Sequence, residues 1–191
     1  MKRLHIPLFA IIAFIAASCY PTVERVPLMA YQKQMIPYQK GQMVCFTDAK
    51  GDTSLFTTTD ITTEWNWDET ALIKIWLQNY TVNLQSEFND QISLKVGTFS
   101  LDYDGIDYYN KVNLILKDLD FSLPFDCAGK FYIHTEYYGS QWHVYDSLSI
   151  NDRMYYDVVE ENNKNGQLYY NKTYGVLQLR QNGKDILTLQ Q

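Results

Sequence analysis

Basic residues nowhere cluster in this chain, histidine and cysteine occur only three times each, and no apolar run is long enough to span a bilayer. Each scarcity excludes something. With 16 Lys and Arg against 22 Asp and Glu, a formal charge of -6 and no basic patch, the electrostatic footprint for nucleic acid is missing. The few His and Cys form no closely spaced metal-ligand set, so neither a metal nor another cofactor is expected. No HExxH, no GxSxG nucleophile elbow and no phosphate-cradling glycine loop occurs. The longest apolar run, Leu8 to Ala17, has ten residues, whereas a membrane helix needs about 20. No long segment repeats with the helical period of 3.6, so helix is expected to be scarce. At 46% apolar and 20% charged, the 191 residues suit one globular domain and not a disordered polymer.

What is present begins with an export signal. Met1-Lys2-Arg3 precedes the apolar run, and Ala16-Ala17-Ser18-Cys19 follows it. Small residues fit the narrow groove of a signal peptidase, and a cysteine immediately after them offers a thiol for acylation. This resembles a bacterial lipoprotein signal, with residues 1-18 removed and Cys19 the lipidated first mature residue. The place three residues before the cysteine holds Ala16, where the usual motif has Leu. That looser form resembles the signals of Bacteroidetes lipoproteins. Ordinary cleavage after Ser18 is the alternative. Several acyl chains, each contributing about 0.8 kcal/mol per buried CH₂, would hold the protein stably on a membrane. Removal of residues 1-18 takes the formal charge to -8, because they carry Lys2 and Arg3 and no acid. Cys45 and Cys127 then remain, either as a disulfide formed in an oxidising compartment or as two separate thiols.

Residues 19-42 contain Pro21, Pro27 and Pro37 and read as a lipid-anchored tether or arm, although Val26, Leu28, Met29 and Ile36 suggest that part of it lies against the domain. Residues 43-191 read as a single β domain. Short β-type runs recur, among them Met43 to Thr47, Thr53 to Asp60, Ile92 to Val96 and Val112 to Leu116. Further strands are expected at Lys130 to Tyr137, Gln141 to Ile150, Met154 to Glu160, Gln167 to Tyr170, Val176 to Arg180 and Ile186 to Leu189. Asp104-Gly105, Gly139-Ser140, Asn151-Asp152, Asn165-Gly166 and Asn182-Gly183 supply the tight turns. The expectation is an all-β fold: an antiparallel meander of about ten strands, closed as a barrel or folded as a sandwich, with little helix.

Two stretches, Tyr38-Gln39-Lys40-Gly41-Gln42-Met43-Val44-Cys45-Phe46 and Tyr169-Tyr170-Asn171-Lys172-Thr173-Tyr174-Gly175-Val176-Leu177, resemble small Bacteroidetes-type envelope lipoproteins of unknown function. The resemblance touches roughly a third of the chain, with turns and strand ends as its motifs. It implies an all-β lipoprotein of the bacterial cell envelope, anchored to the outer membrane and facing the periplasm or the surface. It carries no catalytic residue across.

The two histidines after the signal fall on one expected hairpin. With Gly139-Ser140 as its turn, His134, Glu136, His143 and Tyr145 share a face, and such a face can assemble an acid/base pair or a cation site. The wet side of a hairpin is the plainer reading. Asp102, Asp104 and Asp107 around Gly105 read as a turn, and Glu160-Glu161 as a solvated strand end. Asp146-Ser147-Leu148 resembles a Bacteroidetes O-glycan acceptor at Ser147. Sixteen tyrosines include doublets at Tyr108-Tyr109, Tyr137-Tyr138, Tyr155-Tyr156 and Tyr169-Tyr170, each of which must send one ring to either side of a strand. Outward rings favour a non-catalytic binding module for glycan or an envelope protein. The alternatives are a hydrolase or metal-dependent enzyme on the His/Glu hairpin, and a structural component of an envelope complex.

Overall fold

The computed structural model describes residues 23-68, 74-100, 108-131 and 139-190, and these are almost entirely strand. Cys19, the Asp102-Asp104-Asp107 turn, His134 and Glu136 lie outside the described residues. In chain order the elements are β1 (Val23–Val26), the single helical turn α1 (Ala30–Lys33), β2 (Met43–Thr47), β3 (Thr53–Asp68), β4 (Lys74–Ser86), β5 (Gln91–Ser100), β6 (Tyr108–Leu116), β7 (Leu119–Phe125), β8 (Gln141–Ile150), β9 (Arg153–Asn163), β10 (Gly166–Asn171), β11 (Gly175–Gln181) and β12 (Lys184–Gln190). Eleven strands form one antiparallel path, β7-β6-β5-β4-β3-β2-β12-β11-β10-β9-β8, curled into a half-barrel. The all-β expectation holds. Where β12 pairs with β2, the end of the chain joins the two halves of the meander. β1 lies off the path, parallel to the beginning of β4.

The curl follows from alternation. Val44 and Phe46, Val82 and Leu84, Ile92, Leu94 and Val96, and Val112, Leu114 and Leu116 all point to the inner face and are buried. Each such side chain contributes about 1.5–3 kcal/mol relative to exposure. Two turns expected from their residue types form as expected: Asn151 and Asp152, then Asn182 and Gly183, all take positive φ.

Part of the segment up to Gln42 lies against the domain, as its apolar residues suggest. After α1, Met35, Ile36 and Tyr38 are buried in the same core as the sheet. The Tyr170 hydroxyl donates to the Met35 carbonyl, and the Tyr38 hydroxyl accepts from the Val176 N–H at 2.8 Å. Burial pushes both phenols well above their ordinary range, which keeps them as neutral hydrogen-bonding groups. Gly175, at φ +79, admits this packing, since a Cβ there would lie 2.2 Å from the Tyr38 hydroxyl.

Glu160 and Glu161 require a correction, for neither is a solvated strand end: they are 6% and 1% exposed. Trp142 and Glu161 are cross-strand partners on the inner face of β8 and β9, where the edge strand β7 comes up against them. The Glu161 carboxylate accepts from the Ser122 backbone N–H, while the Trp142 Nε1–H donates to the Ser122 carbonyl at 2.9 Å. Asn163 and Asn165 donate to the Asp120 carbonyl at 3.1 and 3.0 Å. Two residues beyond Ser122, where alternation repeats the outward direction, stands Pro124 with no N–H to satisfy. Side chains thus cap the outward backbone groups of β7 in place of a neighbouring strand.

Burial raises the Glu161 pKa, against hydrogen bonds from Ser122, Asn163 and Ser140 that lower it. A carboxyl whose folded pKa is raised favours folding below the usual glutamate value and loses that contribution as pH climbs through the raised one. Urea titrations across this window should therefore show stability declining with pH in the native chain, and Glu161→Gln should flatten the slope. Glu161→Ala should cost about 1–3 kcal/mol by leaving the Ser122 N–H unpaired. Tyr38→Phe should cost a similar amount, about 1–3 kcal/mol, because Val176 loses its acceptor inside the core.

Candidate functional site

β8 and β9 place His143, Tyr145 and Glu160 on the outer face of the sheet, His143 directly opposite Glu160 and Tyr145 opposite Val158. The Tyr145 hydroxyl donates to Glu160 Oε2 at 2.5 Å, and Gln167 Nε2 donates to Glu160 Oε1 at 3.2 Å. Tyr169, also opposite Glu160, is half-buried. The hydrogen bond to the Glu160 carboxylate, then burial, pushes the Tyr145 phenol up to about 12; burial and the same carboxylate raise Tyr169. The His143 and Tyr145 rings stack at 6.3 Å and 30°. Strand alternation puts His143 and Tyr145 on one face, but Glu160, whose carboxylate accepts from Tyr145 across the strands, was not foreseen there. Both Glu160 oxygens already accept from neutral donors, so the group works as a cross-strand staple. Among the described residues no three His, Cys, Asp or Glu side chains cluster as metal ligands.

The two remaining cysteines do not meet. Cys45 is a half-buried free thiol on β2, and Cys127 an exposed free thiol beyond β7, so the disulfide reading is replaced by two separate thiols. Cys45 lines an open groove of about 250 Å³ with Met43, Leu55 and Tyr174, bordered by the core residues Tyr38, Val44 and Leu189. Ser147 is exposed in mid-β8. Of the four doublets, the side chains of Tyr108-Tyr109 and Tyr137-Tyr138 lie outside the described residues; in the other two, Tyr155 and Tyr170 are buried, Tyr156 is exposed and Tyr169 half-buried.

A different set of rings forms the more continuous surface. β3 and β4 stay paired from Phe56–Ser86 to Asp68–Ile75, well past the end of the β4–β5 ladder at Asn79–Gly97. An extra residue near Thr59 shifts the register and restores inward alternation at Ile61. Tyr80 is opposite the core residue Val96, and counting in twos along the same face gives Gln78 with Trp65, then Trp76 with Trp67. These rings therefore continue the inner face beyond the mouth of the half-barrel. Trp67 and Trp76 meet edge to face with centroids 4.9 Å apart, both half-buried, while Trp65 is 40% exposed. The N-terminal segment borders the strip: the Leu28 N–H donates to Gln78 Oε1 at 3.1 Å, and Lys33 Nζ lies 5.7 Å from the Tyr80 ring centroid. The only sequence signal for this surface is the Trp65-x-Trp67 spacing, which on a strand puts both indoles on one side.

No family model, curated protein or solved structure matches this chain. Among the described residues no helix is long and apolar enough to cross a membrane.

The staple is checked by ultraviolet titration of tyrosine. Glu160→Gln should bring Tyr145 back from about 12 toward the ordinary phenol range, adding one early-ionising tyrosine to the curve. The native contribution of this phenol to stability is present below its ordinary pKa and is lost as pH rises through the raised one. Tyr145→Phe should remove that alkaline dependence.

Proposed function

We propose that this protein is a lipid-anchored component of a bacterial cell envelope that binds carbohydrate without transforming it. Acylated Cys19 is its membrane attachment, and the strip of Trp65, Trp67, Trp76 and Tyr80 is its binding surface. The observation that carries the reading is the register of β3 against β4, which lines up three indoles and a phenol on one inward-turned face, Tyr80 at the margin of the packed core and the indoles beyond it. Aromatic rings present flat apolar area with polar edges, which suits the C–H faces of sugar rings, and their few rotatable bonds limit the entropy lost on binding. Gln78 and Thr63 share the face and bring amide and hydroxyl groups beside the rings. The outer-face Tyr145–Glu160 pair contributes sheet cohesion in this reading.

Titration of the mature chain with an oligosaccharide panel, followed by tryptophan fluorescence, should give a saturable shift for at least one sugar. Truncating a central ring anchor typically costs about 2 kcal/mol, so Trp65→Ala should weaken binding roughly thirtyfold. Tyr156→Ala, on a surface apart from the strip, should leave it unchanged. Equal affinity in Trp65→Ala would contradict the assignment. Membrane fractionation checks the anchor: Cys19→Ala should move the protein to the soluble fraction.

A further inference from the structure

Resting on that reading, we infer that the aromatic strip takes the saccharide headgroup of a lipid in the same membrane that holds Cys19. Four residues of chain lead from Cys19 to Val23, a reach of at most about 14 Å. From Val23 the chain enters β1, whose parallel register sets Val23 beside Lys74 and Arg25 beside Trp76. Two strand residues at about 3.3 Å each and one strand spacing of about 4.8 Å complete the path. The Trp76 backbone is therefore held within roughly 25 Å of the lipidated cysteine.

From Val23 onward the segment stays beside the strip. Beyond β1, the Leu28 contact to Gln78 and the placement of Lys33 over Tyr80 keep the same segment against the strip. Arg25 and Lys33, both exposed, put positive charge beside a surface that belongs to an otherwise acidic chain. Phosphate on a glycolipid headgroup is accommodated there.

Magnitude favours a membrane-borne ligand over a soluble one. A shallow platform with one indole 40% exposed and two half-buried offers few contacts, and after the entropy of association such a site has an affinity on the order of millimolar. A short tether raises the effective concentration of a ligand on the same surface to about that level. A headgroup in the shared leaflet then occupies the strip, while a dilute soluble sugar leaves it empty.

The test uses the full lipidated chain in phospholipid vesicles with and without lipopolysaccharide, read by tryptophan emission, and compares the delipidated oligosaccharide of that lipopolysaccharide added in solution. Lipopolysaccharide in the same vesicle should shift the emission, the free oligosaccharide should need at least tenfold higher concentration, and Trp65→Ala should abolish the shift while Trp65→Phe retains it. Thirty Gly/Ser residues inserted between Cys19 and Val23 should weaken the same-vesicle response about tenfold. Equal response to the free oligosaccharide, or indifference to the inserted linker, would overturn this inference and leave carbohydrate binding standing. A full shift in plain phospholipid vesicles would overturn it in favour of direct bilayer contact. No shift with any sugar-bearing probe, or full binding by Trp65→Ala, would remove both readings.

Discussion

Everything in this fold depends on how β7 is closed off. A curled sheet of eleven strands has two edges, and an uncovered edge exposes backbone groups that recruit other chains. Here the β7 edge rests on the inner face of β8 and β9, where Glu161 and Trp142 take the N–H and the carbonyl of Ser122, and Asn163 and Asn165 take the Asp120 carbonyl. The side chains act as a substitute strand. A buried carboxylate is costly to desolvate, and three donors to Glu161 offset that cost: the Ser122 N–H, the Ser140 hydroxyl and the Asn163 amide.

With the sheet held in this curl, its inner surface is divided between a packed core and an aromatic strip. The segment after α1 fills the enclosed part with Met35, Ile36 and Tyr38, tied to the far wall through Tyr170 and Val176. Past that plug β3 and β4 run on with β1 in place of β5 as the neighbour of β4, and the inward alternation that elsewhere delivers Leu and Val delivers Trp65, Trp67 and Trp76. The segment that leads into the plug passes beside these rings as β1. One N-terminal segment thus borders the aromatic strip with β1 and then plugs the core.

Much of the architecture was legible because alternation and turn chemistry are local. Ile92, Leu94 and Val96 declare a strand with one wet face, and Asn151-Asp152 and Asn182-Gly183 declare their turns. β7 escaped notice although Leu119, Phe121, Leu123 and Phe125 alternate cleanly. Its turn is made by Lys117 at φ +53, where Asn or Gly would be expected, and Pro124 reads as a strand breaker until the strand is known to be an edge. Glu160 and Glu161 looked solvated because their burial comes from strands distant in the sequence. His143 and Tyr145 were correctly placed on one face, whereas Glu160 required the β8–β9 register to join them. Trp65 and Trp67 could be paired from spacing alone, but Trp76 enters their strip only through a register set by the irregularity near Thr59.

The most direct test of this closure is hydrogen exchange at the Ser122 amide. A side-chain-capped edge predicts that Ser122 exchanges as slowly as the ladder amides of β6, and that Glu161→Ala releases this amide well before the rest of the sheet. Rapid exchange at Ser122 in the native chain, with β6 still protected, would contradict the account.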